Sequence, residues 1–153
     1  MPITLTEFET LISDTSKRIE GDIRWAADED HSPAVQFRAE VSSDPGYPLF
    51  VNGRFNALAG TLSFTLVHRS TGRIYALDLG ADHHNPTCDT VGEKHKHRWT
   101  DTHADKHAYV PSDITAGLDD VRAVWRQFCA EALIAHLGGL ETPPAVTAED
   151  VGL

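Results

Sequence analysis

Cysteine is scarce in this chain of 153 residues, and long apolar runs are missing altogether. The two cysteines, Cys88 and Cys129, are far apart and form no CxxC pair, which excludes a disulfide framework and a thiolate zinc site. We expect two free thiols, with Cys129 in the core. No apolar run approaches the roughly 20 residues that span a bilayer, and MPITLTEF lacks the basic and apolar parts of a signal peptide. These absences predict a cytoplasmic protein with no membrane partner.

Positive charge is also scarce, since 13 lysines and arginines stand against 23 aspartates and glutamates, for a formal net charge of -10. That balance excludes a protein that coats nucleic acid through its overall field, because such binding uses many basic contacts to phosphates. The one dense basic run is KHKHR at 94–98. The acidic residues form either a solvated surface or a face that docks a basic protein partner. Much of the acid falls at Asp28, Glu29, Asp30, Asp119, Asp120, Glu149 and Asp150.

Helical periodicity marks both halves of the chain. Apolar residues recur on one helical face from about Thr4 to Ile19, and the run TLTE that opens this segment fits a capping box. A second helix is predicted from about 115 to 137, with Trp125 and Leu137 on its apolar stripe and an end at Gly138.

Strict alternation of apolar and polar residues predicts strands between the two helices. The strands, joined by short turns, are expected at 34–41, 49–55, 61–68, 73–79, 94–99 and 105–110.

These elements predict an α+β fold class. We expect a mostly antiparallel sheet of about six strands, with an N-terminal helix and a C-terminal helix packed on one face. A single domain is expected over 1–140. The tail at 141–153 has two prolines and no periodicity, so it is predicted to be flexible.

Six of the nine histidines fall within residues 83–107, in the stretch HHNPTCDTVGEKHKHRWTDTHADKH. Imidazole has an unperturbed pKa near about 6.5, so such a cluster can supply metal ligands, an acid and a base, or a switchable positive patch. In the predicted strand at 94–99, a period of two places His95, His97 and Trp99 on one face and the basic residues on the other. The two histidines are therefore expected to act together.

One interpretation is a site for a divalent transition metal such as zinc. Two histidines at positions i and i+2 of a strand can bind one cation. A loop histidine and a hairpin carboxylate would complete a three-ligand site with an open position. The ligands would be His84, His95, His97 and Asp105, with His83 and Asp101 as alternatives.

A metal-free interpretation uses the same residues. A histidine pair can take and return protons while a cation stabilises a phosphorane-like transition state. Here His95 and His97 would be acid and base, His84 a further base, and Lys106 the phosphate-binding cation. The predicted substrate-binding residues are Asn85, Arg98, Trp99 and Tyr109.

Two known motifs match only in part. The spacing of His95, His97 and Asp101 resembles part of a cupin site, but the glycine spacing and the second histidine motif are missing, which rejects a cupin. DHHNP matches the beginning of HNH nucleases, but no asparagine follows Asn85 and strands follow where a helix is needed. The remaining alternative is structural, with histidines that only hydrogen-bond neighbouring carboxylates on a solvated edge.

Several motifs together resemble a family of small bacterial proteins of unknown function. They are LTEFETLI, GRIYALDLG, HHNP, GEKHKHRW and DKHAYVP, and they cover about residues 4–135. Related sequences read HxNP, then HxHxW or HxHxY, then DKxAY, and occur near mobile elements. The resemblance implies no particular chemistry. It implies that one unit contains His84, Asn85, Pro86, His95, His97, Asp105, Lys106 and Tyr109.

Two functions follow from the sequence. The first is a histidine-dependent phosphodiesterase that acts on RNA or a small nucleotide, with or without a metal. The second is a non-catalytic acidic interaction protein, such as an inhibitor or antitoxin of a mobile element or phage, that binds a basic protein partner. A cleft that orients histidine, aspartate and lysine side chains favours the enzyme. The oligomeric state is left open by the sequence.

Overall fold

The computed structural model describes residues 3–80 and 120–144, and between these ranges the backbone of four short strands. The helices are α1 (Leu5–Ile12) and α2 (Val121–Glu131), and a short 3-10 turn occupies Glu29–His31. The strands are β1 (Arg18–Ile19), β2 (Ala26–Ala27), β3 (Val35–Val41), β4 (Leu49–Asn56), β5 (Thr61–His68), β6 (Gly72–Leu79), β7 (His83–His84), β8 (Thr90–Val91), β9 (Lys94–Arg98), β10 (Ala108–Tyr109) and β11 (Ala135–His136).

Seven strands form one antiparallel sheet in the order β10-β9-β6-β5-β4-β3-β2. In β3 the sequence VQFRAEV alternates between buried and exposed residues, as a strand with one face on a core requires. The predicted α+β class is therefore confirmed. The sheet has one strand more than expected, because the two residues of β2 pair with β3. β7 and β8 form a separate antiparallel pair.

The core lies between one face of this sheet and the two helices. Phe8 of α1 and Phe128 of α2 are fully buried, and the Phe64 ring of β5 lies 5.0 Å from the Trp125 ring of α2. Burying side chains of this size contributes roughly 1.5–3 kcal/mol each, so these contacts fix the helices to the sheet. Cys129 is also buried, as expected, and burial raises the pKa of its thiol to about 12.

Helix α1 begins as predicted but ends earlier. The capping box is present, with Thr4 Oγ1 accepting from the backbone of Glu7. The prediction that the helix reaches Ile19 is wrong, because the helix ends at Ile12. The side chain of Lys17 then turns back and donates to carbonyl oxygens at this end, which closes the helix. Ile19 is buried in β1, so its apolar character belongs to a strand.

Helix α2 is shorter than predicted at both ends. Its N-cap is Asp120, whose carboxylate accepts from the backbone of Ala123, so the predicted beginning near 115 is wrong. The helix ends at Glu131, since Leu133 adopts a left-handed conformation (φ 55°). The next residue, Ile134, donates to the Cys129 carbonyl, which is the hydrogen bond of a Schellman motif.

The end of α2 leads into a segment that joins the two halves of the chain. β11 pairs in parallel with β1, and Leu140 bridges to Ile23. Trp25 donates through its backbone and its indole to Glu141. Leu137, predicted on the helical stripe, is instead 63% exposed beyond the helix. The domain boundary at 140 and the flexible tail stay predictions.

Neither helix in the described part of the chain is long and apolar enough to cross a membrane.

Candidate functional site

The predicted site residues are distributed over three strands and over positions outside the described residues. His84 lies in β7, opposite Thr90 of β8. Three more predicted residues lie in β9 and one in β10: His95, His97, Arg98 and Tyr109. Five other predicted site residues lie outside the described residues: Asn85, Trp99, Asp101, Asp105 and Lys106.

The register of β9 against β6 places the two central histidines in defined positions. His95 is paired with Asp78, and His97 is paired with Ala76. Because directly paired residues of an antiparallel pair share a face of the sheet, positions 95 and 97 belong to the same face as Asp78. The alternation predicted for this strand thus agrees with its pairing. A site shared with His84 stays a prediction.

The basic positions of β9 belong to the other face. Lys94, Lys96 and Arg98 are paired with Leu79, Leu77 and Tyr75, whose side chains lie in the core below the helices. Histidine and basic positions of this strand are therefore on opposite sides of the sheet. A phosphate bound beside positions 95 and 97 would need a cation from another element, such as the predicted Lys106.

Two rows of mostly polar residues extend from the histidine positions across the sheet. Together we call them the polar face, on the side opposite the helices. Strands lie about 4.8 Å apart, so the four steps from β9 to β3 give each row a length of roughly 19 Å. The row that contains position 95 continues through Asp78, Ser63, Arg54 and Gln36. The row that contains position 97 continues through Ala76, Thr65, Asn52 and Arg38.

Ion pairs and a contact with an aromatic ring hold the arginines on and beside the polar face in place. Arg54 donates to Asp28 at 2.7 Å, and this hydrogen bond keeps the pKa of the Asp28 carboxyl below its usual value. Arg69 contacts both oxygens of Glu40 at 2.6 Å and lowers the pKa of that carboxyl. Arg38 lies 3.7 Å from the centre of the Phe50 ring. The face is thus polar with its charges largely balanced.

Asp78 is the residue that the sequence interpretation missed. A carboxylate beside a histidine can fix its tautomer, raise its basicity, or act as a metal ligand. The available signal was weak: Asp78 is the one acidic residue in the predicted strand at 73–79, and the alternation sets it on the same face as Ile74 and Ala76, which are apolar. Its partner across the sheet could not be known without the register.

Metal binding at the histidine cluster stays a prediction. Among the side chains that the structure describes, no group of three or more histidines, cysteines, aspartates and glutamates is arranged to hold a metal ion. His31 and His136, which are described, serve other contacts: His31 Nδ1 lies 3.0 Å from Asp28, and His136 bonds to Trp125 and Gly21.

Comparison with known proteins identifies the family of this chain but does not identify an activity. The sequence pattern of a family of unknown function, DUF6978, matches residues 3–134. The match begins just before α1 and ends three residues after α2, so it covers the whole seven-stranded sheet. No curated protein and no solved structure matches the chain. The chain belongs to this family, and the resemblance to an uncharacterised family is confirmed.

Proposed function

We propose that this member of the family of unknown function DUF6978 is a histidine-dependent phosphodiesterase whose site lies on the polar face of the sheet. His95 and His97 act as acid and base, or as ligands of a zinc ion, and the substrate is RNA or a small nucleotide. The observation that carries the proposal is the pairing of His95 with Asp78. The register sets position 95 directly opposite an acidic position of the neighbouring strand, and a carboxylate partner is usual for a histidine that acts in acid–base chemistry or as a metal ligand.

The neighbours of position 97 support the same interpretation. His97 stands between Ala76 of β6 and Ala108 of β10, so the residues on both sides are small. Ala76 is fully buried although it belongs to the polar face, so solvent does not reach the sheet at the position paired with 97. Restricted access of water strengthens electrostatic interactions with a bound phosphate.

The alternative of an acidic interaction protein has less support, because many described acidic groups already serve the fold. Asp28 and Glu40 are paired with arginines, and Asp44 lies 3.4 Å from Arg18. Asp120 caps α2, and Asp22 accepts from the backbone of Gly139. These carboxylates are less available to a basic partner than the net charge implies.

A cleavage assay on protein purified without a histidine tag tests the proposal. The substrates are a mixed RNA and a panel of cyclic dinucleotides, each with zinc and with a chelator. We expect cleavage by the wild type and its loss in His95→Ala and in His97→Ala. Asp78→Asn should reduce the rate by roughly 10–100-fold, as the loss of a group that orients a histidine does.

His31→Ala is the matched control, because His31 is exposed and its contact, Asp28, pairs with Arg54 of β4, three strands away from β9. It should cleave like the wild type. The proposed site is wrong if the wild type cleaves no substrate with or without zinc. It is also wrong if the control His31→Ala loses as much activity as His95→Ala and His97→Ala.

A further inference from the structure

A cleft of about 350 Å³ lies on the helix side of the molecule, away from the polar face. One wall is a face of α2, with Arg122, Trp125 and Arg126 at helical spacing. The opposite wall is the segment from Ile134 to Leu140 that follows the helix. We call this space the arginine cleft. Its volume falls in the range of pockets that bind small molecules.

The charged groups of the arginine cleft are of one sign. Arg122 and Arg126 line it, and no aspartate or glutamate is present among its described lining residues. Both arginines are exposed, and neither guanidinium has an ion pair or hydrogen bond to any side chain that the structure describes. Two arginines without a partner among the described residues are unusual at one cleft in a chain with a net charge of -10.

Helix stability does not account for these two positions. Arg122 is the second residue of α2, where the positive end of the helix dipole disfavours a cation. Arg126 lies four residues later, where like charges repel each other along the helix. Beyond the N-cap Asp120, the first turn carries no acidic residue to offset Arg122, and the last turn carries no basic residue. A bound anion would offset both unfavourable effects.

The opposite wall is already fixed by internal hydrogen bonds. Trp125 Nε1 donates to His136 Nδ1 at 3.0 Å, and His136 Nε2 donates to the Gly21 carbonyl at 2.9 Å. Both ring nitrogens are therefore occupied, and these bonds require a singly protonated ring. The backbone of Gly139 donates to Asp22. The cleft is thus preformed, with apolar surface from Trp125, Ile134 and Leu140 beside two guanidinium groups.

We infer that the arginine cleft binds the phosphate group of a small phosphate monoester. A phosphate monoester carries a charge of about -1.5 to -2 near pH 7, which two arginines balance. Its three terminal oxygens can accept hydrogen bonds from two guanidinium forks, whereas a carboxylate has only two oxygens. The apolar wall at Ile134 and Leu140 would contact the organic part of the ligand.

Calorimetric titration of the full chain with AMP, adenosine and inorganic phosphate tests this inference. AMP should bind, inorganic phosphate should bind more weakly, and adenosine should not bind at the same concentrations. Arg122→Gln and Arg126→Gln should each weaken AMP binding by roughly 10-fold or more, as the loss of a charge-assisted hydrogen bond does. The control Arg24→Gln removes an exposed arginine outside the cleft and should leave the affinity unchanged.

Two further measurements distinguish phosphate binding in the arginine cleft from binding elsewhere on the protein. His97→Ala should keep AMP binding, so a failure of the proposed phosphodiesterase would not remove it. Thermal unfolding of Arg122→Gln and Arg126→Gln should occur at or above the wild-type temperature, since each change relieves a repulsion in the helix. The inference is overturned if AMP and phosphate do not bind, or if adenosine binds as tightly as AMP. It is also overturned if the cleft variants keep the wild-type affinity for AMP, or if Arg24→Gln or His97→Ala loses as much affinity as they do. Cleft variants that are less stable than the wild type would contradict it as well.

Discussion

The ammonium group of Lys17 donates to the carbonyl oxygen of Leu11 at 2.8 Å, from a side chain that is fully buried. It also donates to the carbonyls of Ile12 and Asp14, so its three N–H groups meet three acceptors. Burial lowers the pKa of Lys17 to about 8, which leaves the group mainly charged at pH 7. The side chain replaces the missing hydrogen-bond donors at the end of α1.

Lys17→Met should therefore destabilise the protein by about 3 kcal/mol, because it leaves buried carbonyl groups without donors. Denaturant unfolding at pH 7 measures the change. The matched control is Arg24→Met at an exposed position, for which we expect less than about 0.5 kcal/mol. A similar small effect of both substitutions would show that the Lys17 bonds contribute little.

His68 should make the stability of the protein depend on pH. Burial lowers the pKa of this histidine, and its Nδ1 accepts from the backbone of Ser70. The unfolded chain therefore binds the proton first as the pH falls below about 6.5. The contribution of His68 is present above that pH and is lost as the pH falls through the folded-state pKa.

The measurement compares the free energy of unfolding of the wild type and His68→Gln between pH 7.5 and 5. The wild type should lose more stability than the variant over this range. Parallel pH profiles would show that protonation of His68 costs the folded state nothing.

Leu133→Gly should stabilise the protein by about 1 kcal/mol. A leucine in the left-handed conformation carries a steric cost that glycine avoids, and glycine is the usual residue at this position of a Schellman motif. Leu133 is also 40% exposed, so little apolar contact is lost. The control Leu58→Gly removes another exposed leucine, 52% accessible, that has no positive φ. It should be neutral or destabilising, and a stabilisation of the same size there would show that the left-handed backbone at Leu133 is not the cause.

Lys106 is expected to matter for function more than for folding. As the phosphate-binding cation of the proposed phosphodiesterase, its replacement in Lys106→Met should reduce RNA or dinucleotide cleavage while costing only about 0.5 kcal/mol of stability. Thermal unfolding and the cleavage assay measure the two effects side by side. Unchanged cleavage with a large loss of stability would make Lys106 a structural partner of a carboxylate.

Zinc binding, if histidines are the ligands, should weaken as the pH falls through about 6.5, because a ligand imidazole must be neutral. Zinc titration at pH 7.5 and at pH 5.5 measures this. Equal affinity at both values, or no binding at either, would remove the metal-dependent mechanism and leave the metal-free one.

Local patterns predicted the sheet well because each strand carries its own signal. The alternation of residues 61–68 predicted the observed β5, Thr61–His68, without error. Both helices were predicted too long, because the residues that end them carry unusual signals. A lysine closes α1, and a leucine takes the glycine position after α2.

The candidate site depends on contacts between distant parts of the chain. Alternation predicted that His95 and His97 share a face, and the register agrees. It could not predict that Asp78 stands opposite His95, since a one-residue shift in strand pairing would have exchanged the faces. The arginine cleft was missed for a similar reason. In the sequence, Arg122 and Arg126 are ordinary polar positions of a helix. Only the structure shows that the segment 134–140 lies opposite them and forms the cleft.

β11, which pairs in parallel with β1, is synthesised after both helices and all seven strands of the large sheet. The fold is therefore complete only when this last segment has been made. Trp25 bonds to Glu141, which lies 116 positions away in sequence, and β11 lies beyond the residues that the family pattern covers. Closing so long a loop is entropically costly, so we expect these contacts to form after the β3–β6 meander has assembled. A ribosome-bound chain released only up to Ile134 would contain the meander but would lack the strand that pairs with β1.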